Sequence, residues 1–290
     1  MKFVDAHVHL ADPRYLQSSS PQQVLLSKDL LTTVHLSTVH LTTVLGRAQA
    51  QGIGYFLQGG IDPQDWQRQL QLSQDYPGQI GLCFGLHPYF VAQHSLTDCE
   101  LALDQLSRLL PQAVALGELG LDFRSQFSDS IDRQWAIFEA QMELASVAQK
   151  PMVFHLVRCF AEIKEYFRWS APLSQSGMIH SFNGPPEHLH FYLEKGFYIS
   201  IGGAATWPQN QKLHRSLLEL PLNRLLIESD APDQSPHWDS FSPASPTLNE
   251  PLCVVEVAHR IAEIRQIRVE EVLQIAADNL NHFLGGVINS

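Results

Sequence analysis

The chain is poor in the features that would place it in a membrane, outside the cell or on a polyanion. It has four cysteines in 290 residues, Cys83, Cys99, Cys159 and Cys253, scattered and with no Cys-x-x-Cys pair. A disulfide framework is therefore excluded, and reduced thiols in a cytoplasmic protein are expected. No apolar run approaches the roughly 20 residues a membrane-spanning helix needs, so no membrane association is expected. The first residues lack the charged-then-apolar layout of a cleaved leader, and cleavage there would remove a histidine pair. Positive charge is also scarce, with a formal net charge of −11. Binding through a broad basic face is thereby excluded, because such affinity rests on Lys and Arg meeting phosphates. Any phosphate chemistry has to be local, for example at bound cations. No glycine-rich phosphate turn follows an early strand, and no linker marks a second domain. A single domain over 1–290 is expected, with no obligate protein partner evident.

What is present is a regular alternation. Short runs rich in Val, Ile and Leu occur at 3–8, 52–58, 79–86, 113–121, 151–156, 177–182, 197–203 and 224–232. Longer amphipathic stretches lie between them, at 62–75, 98–110, 129–149, 159–169, 185–195 and 209–219. Strand and helix in alternation argue a parallel sheet. Eight such units in this length fit an α/β fold of the (β/α)8 TIM-barrel type. Two further helices, over 249–266 and 268–285, are expected to close it. A doubly wound open sheet is the competitor. One segment is irregular: "TTVHLSTVHLTTV" (32–44) repeats imperfectly every five residues within an insertion at about 17–47. Period five suits neither a strand nor a helix face, so a solvated or helix-capping insertion is expected. His35 and His40 within it are not taken as ligands.

Two His-x-His pairs occur and differ in context. "KFVDAHVHL" alternates like a strand, so Asp5, His7 and His9 share one face. "PPEHLHFYLEKG" starts with Pro and ends in Lys-Gly, so it reads as a helix. There His188 and His190 diverge by about 200° and cannot grip one ion. The first pair gains weight from its company. Polar residues that apolar packing does not need recur at strand ends: His87 after the third strand, Glu118 on the fourth, His155 on the fifth, His180 on the sixth and Asp230 on the eighth. In a barrel these ends converge at the C-terminal face, where active sites lie. Four of these imidazoles and the two carboxylates suit divalent ions. One carboxylate can bridge two of them, and such a pair activates water and stabilises attacked and leaving oxygens. Asp230 can orient that water or take its proton, and Asp5 is a candidate partner for a ligand imidazole.

The ordered set "DAHVHL", "GLHPY", "GELGLD", "PMVFHLVR", "GMIHSFNG" and "IESDAP" resembles the TatD family of metal-dependent deoxyribonucleases over essentially the whole chain, including Asn279 in the closing helices. The layout is similar, more broadly, to the amidohydrolase superfamily. The resemblance implies that His7, His9, Glu118 and Asp230 hold one ion. It implies that Glu118, bridging, holds the second with His155 and His180, and that His87 touches the scissile phosphate. The two divalent ions would be drawn from Mg, Mn, Zn, Fe or Co. By position, Arg124 and Arg158 are added as phosphate contacts. Trp207 either flanks a base or packs, and packing is preferred. The chain departs from the family at three places: His155-Leu-Val-Arg158 replaces His-x-Arg, Ser229 replaces a Thr, and the insertion has no counterpart. The extra residue before Arg158 turns that side chain to the other side if the strand continues.

The function this implies is phosphodiester hydrolysis on DNA, exonucleolytic and with a preference for single strands. A metal-dependent hydrolase of a small phosphoester, ester or amide is the alternative among enzymes. A metal-binding adaptor without turnover is the alternative of another class. A groove lined by arginine and aromatics favours DNA, whereas a closed pocket favours a small substrate.

Overall fold

The fold, seen in a computed structural model, is described for residues 2–16, 41–169, 173, 175–237 and 248–288. The five-residue repeat up to residue 40, with His35 and His40, lies outside these residues. Nine strand segments occupy the eight expected positions: β1 (Phe3–Val8), β2 (Ile53–Gln58), β3 (Ile80–Gly81), β4 (Cys83–Phe84), β5 (Ala115–Asp122), β6 (Met152–Val157), β7 (Gly177–Ile179), β8 (Tyr198–Ile201) and β9 (Leu225–Ile227). β3 and β4 are two halves of one strand, interrupted at Leu82. Every pairing is parallel. The ladder falls into a three-stranded sheet, β1-β2-β3, and a six-stranded sheet, β4-β5-β6-β7-β8-β9.

Backbone hydrogen bonds bridge both seams between these sheets. At one, Asp230 N donates to His7 O (3.0 Å) and His9 N to Ala231 O (2.8 Å). At the other, Glu118 N donates to Gly60 O (2.8 Å) and Gly60 N to Gly117 O (3.1 Å). Strand order and direction are those of a (β/α)8 barrel, and both seams are pinned by backbone groups of the candidate ligands and their neighbours. One buried cluster takes Val4, Tyr55, Cys83, Ala115, Val153, Met178 and Leu226 from seven different strands. Only a barrel interior can collect a residue from so many strands. A second, larger cluster fills the layer between strands and helices.

The helices are α1 (described over 41–50), α2 (Pro63–Asp75), α3 (Pro88–Gln93), α4 (Leu96–Leu109), α5 (Ile131–Ala148), α6 (Phe160–Trp169), α7 (Pro186–Glu194), α8 (Gln211–Glu219), α9 (Val254–Arg265) and α10 (Val269–Phe283). Their starts follow capping chemistry. Asp62 accepts from Gln64 N and Asp65 N (both 2.8 Å) ahead of Pro63 in α2. Ser95 and Asp98 form a capping box, so α4 begins at Leu96, two residues before the periodicity suggests. α10 covers the N-terminal end of the barrel: Leu280 and Phe283 join the interior cluster. Asn279 Nδ2 donates to Leu222 O and Leu225 O (both 2.7 Å), tying this helix to β9.

Two helices were not expected. Leu41, Val44, Leu45 and Ala48 are buried along one side of α1, at the i, i+3, i+4, i+7 spacing of a helix face. The repeat's last turn therefore packs on the barrel. α3 is a six-residue helix whose N-cap is His87. All four cysteines are buried and unpaired. No helix among the described residues is long and apolar enough to cross a membrane.

Candidate metal centre

Six of the seven candidate residues of the cluster come from strands or the turns just beyond them; His87 caps α3. His7 lies in β1 and His9 just after it, where Gln58 Oε1 accepts from Leu10 N (3.0 Å) and fixes the chain. Glu118 is in the middle of β5, not at its end as expected, because β5 runs on to Asp122. His155 is in β6, His180 directly follows β7, and Asp230 follows β9. All seven are buried. Ser181 (φ 49°) and Asp230 (φ 50°) take left-handed backbone conformations. Such conformations are costly for non-glycine residues and cluster at functional sites.

Glu118 is the centre of the arrangement. Its Oε1 faces His7 Nε2 (3.6 Å) and His9 Nε2 (3.4 Å). Its Oε2 faces His180 Nε2 (2.9 Å), His155 Nδ1 (3.3 Å) and His87 Nε2 (3.7 Å). Asp230 Oδ1 completes the first group, 3.5 Å from His7 Nε2 and 3.3 Å from His9 Nε2. Three sets of donor atoms lie close enough to hold a cation: His7, His9 and Asp230; His7, Glu118 and His180; His87, Glu118 and His155. The donors themselves ask for one. Both ring nitrogens of His7, and Glu118 Oε1, are buried with no hydrogen-bond partner. Leaving such groups unpaired costs about 1–3 kcal/mol each, and a cation among them removes that cost. Oxygen and imidazole donors fit a divalent ion of the Zn, Mn, Fe or Co type.

The polar group on the far side of each ring decides its role. Tyr89 N donates to His87 Nδ1 (3.0 Å), so the proton of neutral His87 sits on Nε2. Burial, then the neighbouring His155, holds its pKa well below the usual range, which keeps it neutral. His87 thus presents an N–H to the cluster, suited to a phosphoryl oxygen and not to a cation. His155 is the opposite case. Its Nε2 lies 3.4 Å from Asp122 Oδ2, which leaves the Nδ1 lone pair facing Glu118. His180 Nδ1 lies 3.6 Å from Glu228 Oε1, leaving Nε2 inward. Carboxylates placed this way orient ligand imidazoles.

Asp122 and Glu228 are therefore functional candidates that sequence reasoning passed over, although both stand in the motifs "GELGLD" and "IESDAP". Asp5 corrects an expectation. It bonds no ligand ring: it accepts from Ser229 N (2.9 Å), Ser229 Oγ (2.5 Å) and His7 N (3.3 Å). Burial raises its pKa to about 8. The hydroxyl of Ser229 thus binds β1 to the segment carrying Asp230.

Charge in the cluster is mutual. Burial opposes the ionised form of Glu118, but His180, His7, His87 and His155 override it and hold its carboxyl well below the usual range. Burial likewise opposes protonation of His9, yet Asp230 and Glu118 raise its pKa to about 9.

The cluster floors a cavity of about 600 Å³ walled by Arg14, Tyr89, Arg124, Ser181 and Gln234 among others. Arg14 forks onto Asp12 and Asp233. Arg124 reaches this cavity as expected, with its Nε 3.0 Å from both oxygens of Asp122 and its Nη2 on Asp122 and Tyr89 Oη. Among the described residues its Nη1 has no hydrogen-bond partner. Arg158 does not reach this cavity. β6 stops at Val157, Arg158 turns with φ 57°, and its side chain lines a neighbouring cavity. Trp207 is 40% exposed, packs edge-on against His237 with ring centroids 4.9 Å apart, and walls a third cavity with Asn183 and Gln234. His188 lies against Phe160, while His190 pairs with Glu219 (2.7 Å) on the surface; the two diverge as the helix reading requires.

A parallel α/β barrel with carboxylates and imidazoles gathered at the strand ends is the architecture of a metal-dependent hydrolase. A model of the TatD related DNase family matches residues 4–285, and the chain belongs to that family. It is 28% identical over 237 residues to the "Uncharacterized metal-dependent hydrolase YjjV" of Escherichia coli K12, covering 81% of this chain and 88% of that one. It is 33% identical over 235 residues to the "3'-5' ssDNA/RNA exonuclease TatD" of Citrobacter rodentium, covering 81% and 86%. The crystal structure of YjjV superposes with a TM-score of 0.78 at 25% identity, covering 97% of both chains. The chain is accordingly a metal-dependent hydrolase acting on ester bonds.

Proposed function

We propose that this enzyme holds two divalent cations and removes nucleotides from an end of single-stranded DNA. The observation that carries the reading is the placement of Glu118, each of whose oxygens faces a separate group of imidazoles. His7, His9 and Asp230 with Oε1 would hold one cation, and His155 and His180 with Oε2 the other. Such a pair of cations supplies acidified water and Lewis-acid polarisation of a phosphoryl oxygen.

The chain's own groups do the rest. Asp230 has its Oδ2 on Gln234 Nε2 (2.5 Å) and its Oδ1 toward His9, placing it to orient a water and take its proton. His87 Nε2–H donates to a phosphoryl oxygen, and Arg124 Nη1 reaches the same cavity. Asp122 and Glu228 keep the two inner imidazoles in their tautomers. The DNA substrate is supported by the three adjoining cavities, which carry Arg124, Arg158, Tyr89, Phe160 and Trp207, and by the named activity of the Citrobacter relative. Aromatic faces and cations along a channel suit unpaired bases and their backbone.

The test is cleavage of end-labelled single- and double-stranded DNA by metal-stripped protein given back Mg, Mn or Zn, beside Glu118→Ala. Metal-dependent laddering from one end, faster on single strands and lost in the variant, is expected. No cleavage with any metal, by protein that still binds metal, would move the substrate to a small phosphoester, ester or amide.

A further inference from the structure

A second concave site adjoins the metal cluster and shares His180 and Ser181 with it. This cavity of about 880 Å³ lies over α6, α7 and α8 and carries Arg158, Lys212, Phe160, His188, Asn183 and Glu162. Arg158 and Lys212 are exposed, and neither has an ion-pair or hydrogen-bond partner for its side chain among the described residues. In a chain with a net charge of −11, two unpaired cations on one concave wall are unusual company. Glu162 is the one carboxylate on the same wall.

Backbone geometry puts Arg158 there. β6 ends at Val157, Arg158 follows with a φ of 57°, and it lines this cavity and not the one floored by the metal cluster. A left-handed arginine is a strained choice where asparagine or glycine would sit easily, and such strain marks function. His188 stacks on Phe160 with ring centroids 3.4 Å apart and planes 12° apart. Burial lowers the pKa of His188 against the nearby Glu187, with Lys212 and Lys164 adding to the lowering, so the cations lining the cavity are Arg158 and Lys212.

We propose that this cavity binds a second phosphate, the phosphodiester next to the one at the metal cluster, so that the enzyme selects chains carrying at least two phosphodiesters. The inference rests on the phosphodiesterase reading above and deepens it. Arg158 offers a planar fork to phosphate oxygens and Lys212 a point charge, while the Phe160–His188 stack offers an apolar side for the intervening nucleoside. Both cations act locally, which is how a net-acidic protein can hold a polyanion.

The test compares a thymidine dinucleotide, with one phosphodiester, and a trinucleotide, with two. Manganese-loaded wild type, Arg158→Ala, Arg158→Lys and Lys212→Ala are run on both. The ratio of kcat/KM, trinucleotide over dinucleotide, is expected to fall about tenfold in each alanine variant and to recover in part in Arg158→Lys. Binding is read separately, by anisotropy of a labelled ten-residue oligothymidylate on metal-free protein. The salt dependence, log Kd against log salt, is expected to lose about 0.7 in slope for each cation removed. A ratio and a slope both unchanged in folded variants overturn the subsite. If wild type cleaves neither substrate but the slope falls in the variants, the subsite stands and the phosphodiesterase reading fails.

Discussion

Gly59 sits where β2 meets the histidine pair, and replacing it with alanine isolates the geometry of that pair. Its N–H donates to Val8 O (2.9 Å) and its carbonyl accepts from Gln69 Nε2 (3.2 Å), so the backbone cannot drift. A Cβ at this position would stand 2.4 Å from His9 Cε1, 2.6 Å from His7 Cε1 and 2.8 Å from His7 Nε2. Ordinary carbon contacts lie near 3.5–4.0 Å, so both rings must retreat by about 1 Å. Disturbing the orientation of ligand imidazoles costs about 10–100-fold in metal affinity, and overpacking costs about 1–3 kcal/mol of stability. Gly59→Ala is therefore expected to bind the ion at His7 and His9 about 10–100-fold more weakly, with a lower Tm and a native circular dichroism spectrum. Gly46→Ala is the control: among the described residues nothing lies within 4 Å of the Cβ it would gain, and it sits in helix α1. It is expected to leave metal affinity alone and to add about 0.5–1 kcal/mol of stability. Isothermal titration of metal-stripped protein reads the affinities. Wild-type affinity in Gly59→Ala would refute the packing argument.

Three further perturbations follow from the same contacts. Asp122→Asn removes the carboxylate facing His155 Nε2 and the main partner of Arg124; affinity at the inner site should drop about 10–100-fold, and an unchanged titration would deny it an orienting role. Ser229→Ala removes the hydroxyl that donates to Asp5 (2.5 Å) and accepts from Ala231 N (3.1 Å); a cost of about 1–3 kcal/mol in urea denaturation is expected, and a loss below about 0.5 kcal/mol would show that the Asp5 contact does not hold the seam. Asp5, raised by burial to about 8, and His9, raised to about 9, give the pH dependence the same sign, and His9 carries it to the higher pH. In metal-free protein the contribution of His9 to stability is full below about pH 6.5 and lost as pH climbs through about 9. Cation affinity should rise over the same window, because binding must displace that proton. A metal-free Tm that climbs from pH 7 to 9, or a flat affinity, would contradict the assignment.

The barrel was legible because its information is local. Runs such as "PMVFHL" and "FYISIGG" carry enough β-branched and aromatic residues to mark strands, and the Pro and Gly around "PPEHLHFYLEKG" mark a helix. The seven cluster residues were legible because polar groups in and just beyond apolar strands have no packing reason to be there. What was hidden depends on distances between segments. Asp122 and Glu228 look like ordinary acids until their oxygens are seen beside the outer nitrogens of His155 and His180. The choice between ligand and donor for His87 turns on one backbone N–H, that of Tyr89. Asp5 was assigned to a ring because it shares a strand with His7, whereas its partner arrives from Ser229, 224 positions away. The five-residue repeat masked the helical spacing of Leu41, Val44, Leu45 and Ala48. The break at Leu82 has no signal within "QIGLCFGL". Arg158 was placed by strand alternation, but the strand ends one residue earlier and a positive φ decides where the side chain goes.

The central claim is that two cations sit on opposite oxygens of Glu118. Anomalous diffraction from manganese-soaked crystals tests it most directly. The expected result is two peaks about 3.5–4 Å apart, one beside His7, His9 and Asp230 and one beside His155 and His180, with Glu118 between them. A single peak, or a pair that does not share Glu118, would contradict it.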